Sequence, residues 1–367
     1  MRIKAAVTHS KGAPFVIEEV ELAPPQKHEI LVKLVACGVC HTDEAVQHQF
    51  IPVPLPAVLG HEGCGIVEAI GPEVTEFQVG DKVGISFGFC GKCRNCRTGH
   101  PNACEHFNEI NFGGVQPDGT TRLSTLDGKP ISTFFGQSTF ATHAVVNEAA
   151  AVKVQYDDID LALVGPMGCG IQTGAGAVLN RLRPTLGSTI AVFGCGTVGM
   201  SAIMAAKIAG CEKIIAVGGN PKSLELAKEL GATHTINRKE VDDIVGMIRN
   251  EITEGGCDFA IDTTGVAEFV KKALASVRFY GTAVVLGATG DVTINIQDEL
   301  MGDAKSLIGI VEGDSIPKLF IPKLLDYYKK GMFPFDRLVK FYPFEQINEA
   351  FEESHSGKCI KAILRID

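Results

Sequence analysis

The sequence predicts an α/β protein made of a β-rich domain and a doubly wound parallel-sheet domain. Three observations point there. The chain has 367 residues, more than one hydrophobic core usually supports, so two domains are expected. Residues 1–160 carry short β-branched runs broken by Gly and Pro, among them EILVKLVACGVC, GCGIVEAIG and GDKVGIS, the texture of short strands and turns. From about Gly187 strands alternate with helical stretches, which reads as a parallel sheet with crossover helices.

Composition narrows the function classes. With 45% hydrophobic residues and 41 glycines the chain is globular and turn-rich. Its net charge of −9 argues against nucleic acid as the main partner. The opening MRIKAAVTHSKGAPFVIEEV lacks the apolar core of a signal peptide. No stretch reaches the roughly 18–20 uninterrupted apolar residues of a membrane span. The expectation is a cytoplasmic protein with no membrane partner. In such a chain, twelve cysteines, several of them clustered, point to metal or catalysis before disulfides.

In the first domain, FCGKCRNCRTGHPNAC sets Cys90, Cys93, Cys96 and Cys104 in the pattern C-x2-C-x2-C-x7-C. Four thiolates at that spacing can close a tetrahedral Zn²⁺ site with no open position, which is a structural site. Disulfides are the alternative, disfavoured by the compartment. A nucleic-acid-binding zinc ribbon is another, but the flanks are not strongly basic. A second group is dispersed: Cys40 in CGVCHTD, His61 in GHEGCG and Cys169 in GPMGCG. Two Cys and one His form the ligand set of a catalytic zinc that keeps one position for water or substrate. Their convergence is not visible in one sequence, and a buried free thiol is the commoner fate of a single Cys. Cys37, Cys64, Cys195, Cys211, Cys257 and Cys359 take that plainer reading.

In the second domain STIAVFG precedes TVGMSAIMAAKIAG, KIIAVG precedes PKSLELAKELGA, and FAIDTTG precedes VAEFVKKALASV, with GTAVVLGATG a further buried strand. The turn GCGTVG (Gly194, Gly196, Thr197, Val198, Gly199) fits G-x-G-x-x-G between a strand and a helix, the setting a dinucleotide-binding turn requires. Its backbone approaches a pyrophosphate whose charge meets the helix N-terminus. The next strand ends at Gly218-Gly219, where NAD-binding units carry an Asp or Glu for the ribose hydroxyls. The tail, from about Gly313, carries FPFDRLVKFYPF, a short helix and a final strand in CIKAILRID.

The combination of CHTD, GHEGCGIVEAIG, FCGKCRNCRTGHPNAC, GCGIQTGAG and FGCGTVG resembles the zinc-dependent medium-chain alcohol dehydrogenases over essentially the whole chain. GPMGCGIQTGAGA, VEGDSIPKLFIP and FPFDRLVKFYPF are similar to the aryl (benzyl) alcohol dehydrogenase branch, and terpene-alcohol enzymes such as geraniol dehydrogenase look similar. The resemblance implies a GroES-like catalytic domain over residues 1–170, a Rossmann domain over 171–312, and a return to the catalytic domain over 313–367. It implies two Zn²⁺ per chain, one catalytic and one structural, a nicotinamide cofactor, and a homodimer or homotetramer.

By motif, Cys40, His61 and Cys169 become catalytic zinc ligands, with Glu62 the nearby carboxylate. Asp43 would bond His61 and fix its ring. Thr42 matches the hydroxyl that takes the alcohol's proton, Thr173 the residue against the nicotinamide, and His41 and Lys361 positions that meet the pyrophosphate. The implied reaction is hydride transfer from the alcohol carbon to the nicotinamide, aided by a Lewis-acid metal. Where well-known animal members carry a relay histidine, this chain has Ala45; His48 is near in sequence only. Ser86, Phe87, Leu286, Val311 and Pro54 are candidates for the substrate pocket, Leu286 also for the cofactor site.

Gly218 stands where the family's NAD-binding acid belongs. An acid would repel the 2′-phosphate of NADP, and the glycine pair removes that repulsion. Asn220 and Lys222 offer a donor and a positive charge, although no arginine is visible in the stretch to bind bidentately. The expectation is NAD or NADP, with a slight lean to NADP. Polyol dehydrogenases and quinone reductases fit less well, given Cys169 and the intact four-Cys lobe. A glutathione-dependent formaldehyde dehydrogenase shares that lobe, and a non-catalytic nucleotide-binding protein is the distant alternative.

Overall fold

The computed structural model describes residues 1–366. It forms two compact units: Met1–Cys169, Ile316–Leu325 and the chain from Asp336 onward make the first, Gly170–Ser315 with Asp326–Phe335 the second. One is β-rich and the other carries a parallel sheet, the fold class that the sequence predicts.

The first unit is organised by strand Glu29–Gly38, in which only Lys33 is exposed. Leucine and β-branched residues pack on both of its faces. It pairs antiparallel with Gly63–Ile70, His143–Asn147 and Lys361–Arg365. The registers Cys37↔Gly63 and Gly38↔Ile363 draw His61, Glu62 and Lys361 to one end of this strand. Gly38 is required there by close approach: a Cβ would lie 2.0 Å from Glu62 Oε2.

At the strand's other end Glu29 is buried and accepts from Arg122 Nε at 2.9 Å and from a terminal guanidinium nitrogen at 2.7 Å. Arg122 also reaches Asp118 at 2.9 Å. Truncating the arginine strands a buried carboxylate. Arg122→Ala is therefore expected to cost about 3 kcal/mol or more, read as a lower urea midpoint; an unchanged midpoint would show that the pair contributes nothing.

The second unit holds six parallel strands in the order His234–Asn237, Lys213–Gly218, Thr189–Phe193, Cys257–Asp262, Val277–Val285 and Ser306–Gly309. The chain runs outward from Thr189–Phe193 in one direction and then in the other. Ligands in such sheets lie beyond the carboxyl ends of the strands at the reversal point, between Thr189–Phe193 and Cys257–Asp262. Helix Thr197–Ile208 follows the central strand and buries eight residues, which is why its sequence is apolar nearly all round. The strand expected at GTAVV starts earlier, at Val277, with Arg278, Phe279 and Tyr280 exposed. A register shift against Cys257–Phe259 places these residues outside the apolar pattern that announces a strand.

All twelve cysteines are free of disulfides. Of the six outside the two metal-type groups, Cys37, Cys64, Cys257 and Cys359 are buried, while Cys195 and Cys211 are half-buried. No single helix among the described residues is long and apolar enough to cross a membrane.

Candidate active site

Cys40 sits in extended conformation at the N-cap of helix His41–Gln47. Asp43, one turn in and wholly buried, accepts from the Cys40 backbone N–H at 3.1 Å and from the Gly60 N–H at 3.0 Å. It also takes His61 Nδ1 at 3.1 Å. With Nδ1 donating to a carboxylate, the His61 lone pair lies on Nε2. That atom is buried and has no hydrogen-bond partner.

One donor atom each from Cys40, His61, Glu62 and Cys169 lies within 4.8 Å of all the others. A buried imidazole nitrogen without a partner, facing two thiols, fits a soft, N/S-ligated divalent cation. The Cys40 thiol is held well below its ordinary range, first by a hydrogen bond with Cys169, then by the charges of His61 and Lys361 against the cost of burial. Burial works to lower His61, but the Asp43 carboxylate and the Cys40 sulfur outweigh it and hold the ring well above its usual value, so a metal would displace a proton from Nε2 as it binds. The sulfur is thus poised to be a thiolate, the form that binds metal.

Lys361 and Glu62 form a buried ion pair. The Lys361 ammonium donates to Glu62 Oε1 and Oε2 at 3.0 and 2.7 Å, and to the Val39 carbonyl at 2.8 Å. Burial pushes the Glu62 carboxyl up to about 7 against the pull of Lys361. The sequence places Lys361 on the pyrophosphate; here its ammonium is engaged by Glu62. Thr42 Oγ1 lies 3.6 Å from Cys40 Sγ, so a hydroxyl flanks one sulfur of the cluster. His41 is exposed at the helix start. His48 caps the other end of the helix, beside Gly12.

Phe135 stacks on the His61 ring at 4.5 Å, and Phe134 meets it edge-on at 5.3 Å. The sequence reading missed both; the adjacent pair in STFFGQST was the available signal. Ser86 is buried and donates to the Gly168 carbonyl at 2.7 Å, next to Cys169. Phe87 is wholly buried against Phe89 and Phe107, and Pro54 packs on Gly114. In the second unit, Thr173 is half-buried in helix Gly170–Gly176. Leu286 donates its N–H to the Asp262 carbonyl at 2.9 Å, and Val311 is half-exposed.

The expected result for Asp43→Asn is a 10- to 100-fold, order-of-magnitude loss of zinc affinity at this cluster. Competition against a chelator measures it, and unchanged affinity would remove Asp43 as the group that aims His61.

The four-Cys lobe gathers in the same unit. Sγ atoms of Cys90, Cys93, Cys96 and Cys104 lie within 4.8 Å of one another. Backbone N–H groups point at them: Cys93 to Cys90 at 3.3 Å, Cys96 to Cys93 at 3.5 Å, Cys90 and His106 to Cys104 at 3.3 and 3.4 Å. The N–H groups of Cys96 and Glu105 bring the Cys93 thiol down to about 6, while burial pushes Cys96 up to about 12. Four thiols packed this closely can ionise together only around a cation, and a closed four-sulfur site suits Zn²⁺.

In the glycine turn of the second unit, Gly194 has φ +106°, and a Cβ on Gly199 would lie 1.9 Å from the Gly194 carbonyl oxygen. The helix can start against the turn only with glycine at both. Gly196, the N-cap, faces open space and leads into Thr197 and Val198. The open space at this helix N-terminus, where the N-cap Gly196 offers no side-chain hydrogen bond, fits a pyrophosphate. Asn220 Oδ1 accepts from the Lys222 N–H at 3.0 Å and caps helix Pro221–Leu230.

Comparison with known proteins follows the same lines. Residues 26–156 match the family described as the alcohol dehydrogenase GroES-like domain, and residues 197–327 the zinc-binding dehydrogenase family. A geraniol dehydrogenase of Castellaniella defragrans is 42% identical over 365 residues, 98% of this chain and 97% of that protein. The crystal structure of benzyl alcohol dehydrogenase from Acinetobacter calcoaceticus superposes with a TM-score of 0.96 at 47% identity, covering 100% of both chains. An alcohol dehydrogenase zinc-binding domain protein from Burkholderia ambifaria gives 0.97 at 49% identity over 100% of this chain and 99% of that one.

Proposed function

Because the chain belongs to the zinc-type medium-chain alcohol dehydrogenases, we propose that it oxidises primary aromatic or allylic alcohols reversibly to aldehydes, with NAD or NADP as hydride acceptor. The observation that carries this reading is the buried Cys40–His61–Cys169 donor set with its unpartnered His61 Nε2. Its relatives among geraniol and benzyl alcohol dehydrogenases and the Phe134–Phe135 pair on His61 support the substrate class.

Cys40, His61 and Cys169 would hold the catalytic zinc, and Cys90, Cys93, Cys96 and Cys104 the structural one. When bound, zinc supplies a Lewis acid that favours the ionised alcohol near neutral pH, and the nicotinamide supplies the hydride acceptor. The protein's part is position and proton handling. Asp43 keeps the proton on His61 Nδ1 and aims Nε2. Thr42 Oγ1, beside the Cys40 sulfur, would accept the alcohol's proton as it gives up its own; Ala45 offers no next acceptor in the chain, so that proton would pass to solvent. Lys361 holds the Glu62 carboxylate, and the two phenylalanines keep water from the His61 face.

The glycine turn, with Thr197 and Val198, would cradle the pyrophosphate, and Gly218 and Gly219 lean the choice toward NADP. A homodimer or homotetramer is the assembly proposed; strand Ser306–Gly309, at the end of its sheet, supports pairing between copies. Metal analysis with turnover tests the reading. About two zinc ions per chain together with alcohol oxidation supports it; one metal with no turnover would make the protein a nucleotide binder.

A further inference from the structure

The sequence stretch after strand Lys213–Gly218 shows no arginine, but the fold supplies one from the neighbouring strand. Parallel pairing sets Gly218 against Asn237, and the Arg238 N–H donates to the Gly218 carbonyl at 2.9 Å. The guanidinium therefore lies over the glycine pair. A Cβ on Gly219 would meet Arg238 Nε at 3.0 Å, Cζ at 3.3 Å and Lys239 Cε at 3.3 Å. The Phe269 ring, 5.5 Å from Arg238 Cζ, steadies the side chain by cation–π attraction.

The local charge is positive. None of Arg238, Lys239 and Lys222 has an ion-pair partner among the described residues. Of the nearby carboxylates, Glu268 pairs with Lys272 at 2.6 Å and feels the Arg238 charge only more weakly, while Glu240 accepts from the Asn237 amide at 2.6 Å. Gly218 is closely surrounded: a Cβ there would lie 2.9 Å from Cys195 Sγ and 3.2 Å from Leu224 Cδ2, so these side chains would have to shift to admit an acid. The strand end thus lacks the carboxylate that would hold two ribose hydroxyls, and offers a planar cation in its place. A guanidinium matches a phosphate monoester with two parallel hydrogen bonds.

We propose that Arg238, assisted by Lys239 and Lys222, binds the 2′-phosphate of NADP and sets the coenzyme choice of this enzyme. The proposal rests on the reading of the chain as a nicotinamide-dependent dehydrogenase. Two measurements on the full-length zinc-loaded protein test it: calorimetric titration with adenosine 2′,5′-bisphosphate and with 5′-AMP, and kcat/KM with NADP and NAD. The wild type should bind the bisphosphate at least about tenfold more tightly than AMP. Arg238→Gln should lower the bisphosphate-to-AMP affinity ratio and the NADP-to-NAD kcat/KM ratio by about 10- to 100-fold, and Lys239→Gln should lower both by less.

Equal binding of the two nucleotides by the wild type, or ratios within about threefold of wild type in Arg238→Gln, would overturn the subsite. A chain that oxidises no alcohol with either coenzyme would overturn the dehydrogenase reading instead, and the bisphosphate titration would still decide the role of Arg238.

Discussion

Cys169→Ala is expected to lower the zinc content from about two ions per chain to about one and to reduce kcat/KM for alcohol by on the order of 10³-fold or more. The loss follows from the cluster's construction. Three donors that converge in a buried space leave no spare ligand of the same kind; Glu62, the fourth group within 4.8 Å, is held by Lys361 at 2.7 and 3.0 Å. Removing Cys169 also withdraws the largest influence that keeps the Cys40 thiol low, so the remaining sulfur becomes a poorer ligand. Metal analysis beside steady-state kinetics checks this. Two zinc ions and undiminished turnover in the variant would show that Cys169 is an ordinary buried thiol.

Cys96→Ala should give the second large effect, of a different kind. The segment from Cys90 to Cys104 has little core: helix Arg94–Arg97 buries no residue, and most of its neighbours are exposed. A metal with four sulfur ligands supplies folding free energy that such a segment lacks, about 10–16 kcal/mol in small zinc-dependent folds. The variant should keep the catalytic zinc, lose the structural one, and become a trypsin substrate at Arg94 and Arg97 under conditions where the wild type resists. A thermal midpoint lower by about 10 °C is expected, since each kcal/mol is worth a few degrees in a protein of this size. Unchanged proteolysis and melting would mean that the lobe holds itself together without metal.

How much of this was legible in the sequence depended on distance along the chain. The four-Cys spacing and the glycine turn are local patterns, and the structure gathers each within one short segment. Cys40, His61 and Cys169 come from three separated motifs, and only the resemblance joined them in advance. The Lys361–Glu62 pair spans 299 positions; it arises from strand register, through Gly38↔Ile363 and Cys37↔Gly63, which no periodicity reveals. For the same reason Arg238 stayed invisible from KIIAVGGNPKS: it enters from the adjacent strand through the pairing of Gly218 with Asn237. Phe135 on His61 depends on a residue with φ of 53°, a turn that aromatic residues rarely adopt. Residues related by spacing were readable, whereas those related by sheet register were not.

Zinc-dependent oxidation of aromatic or allylic alcohols is tested most directly by the steady-state kcat/KM of the zinc-loaded protein for benzyl alcohol, geraniol and ethanol, each with NAD and with NADP. Benzyl alcohol or geraniol should exceed ethanol by at least about tenfold, the discrimination that a few methylene-sized contacts in an apolar pocket provide, and a strong chelator should abolish the activity. A preference for ethanol, or turnover that survives complete removal of zinc, would contradict this reading.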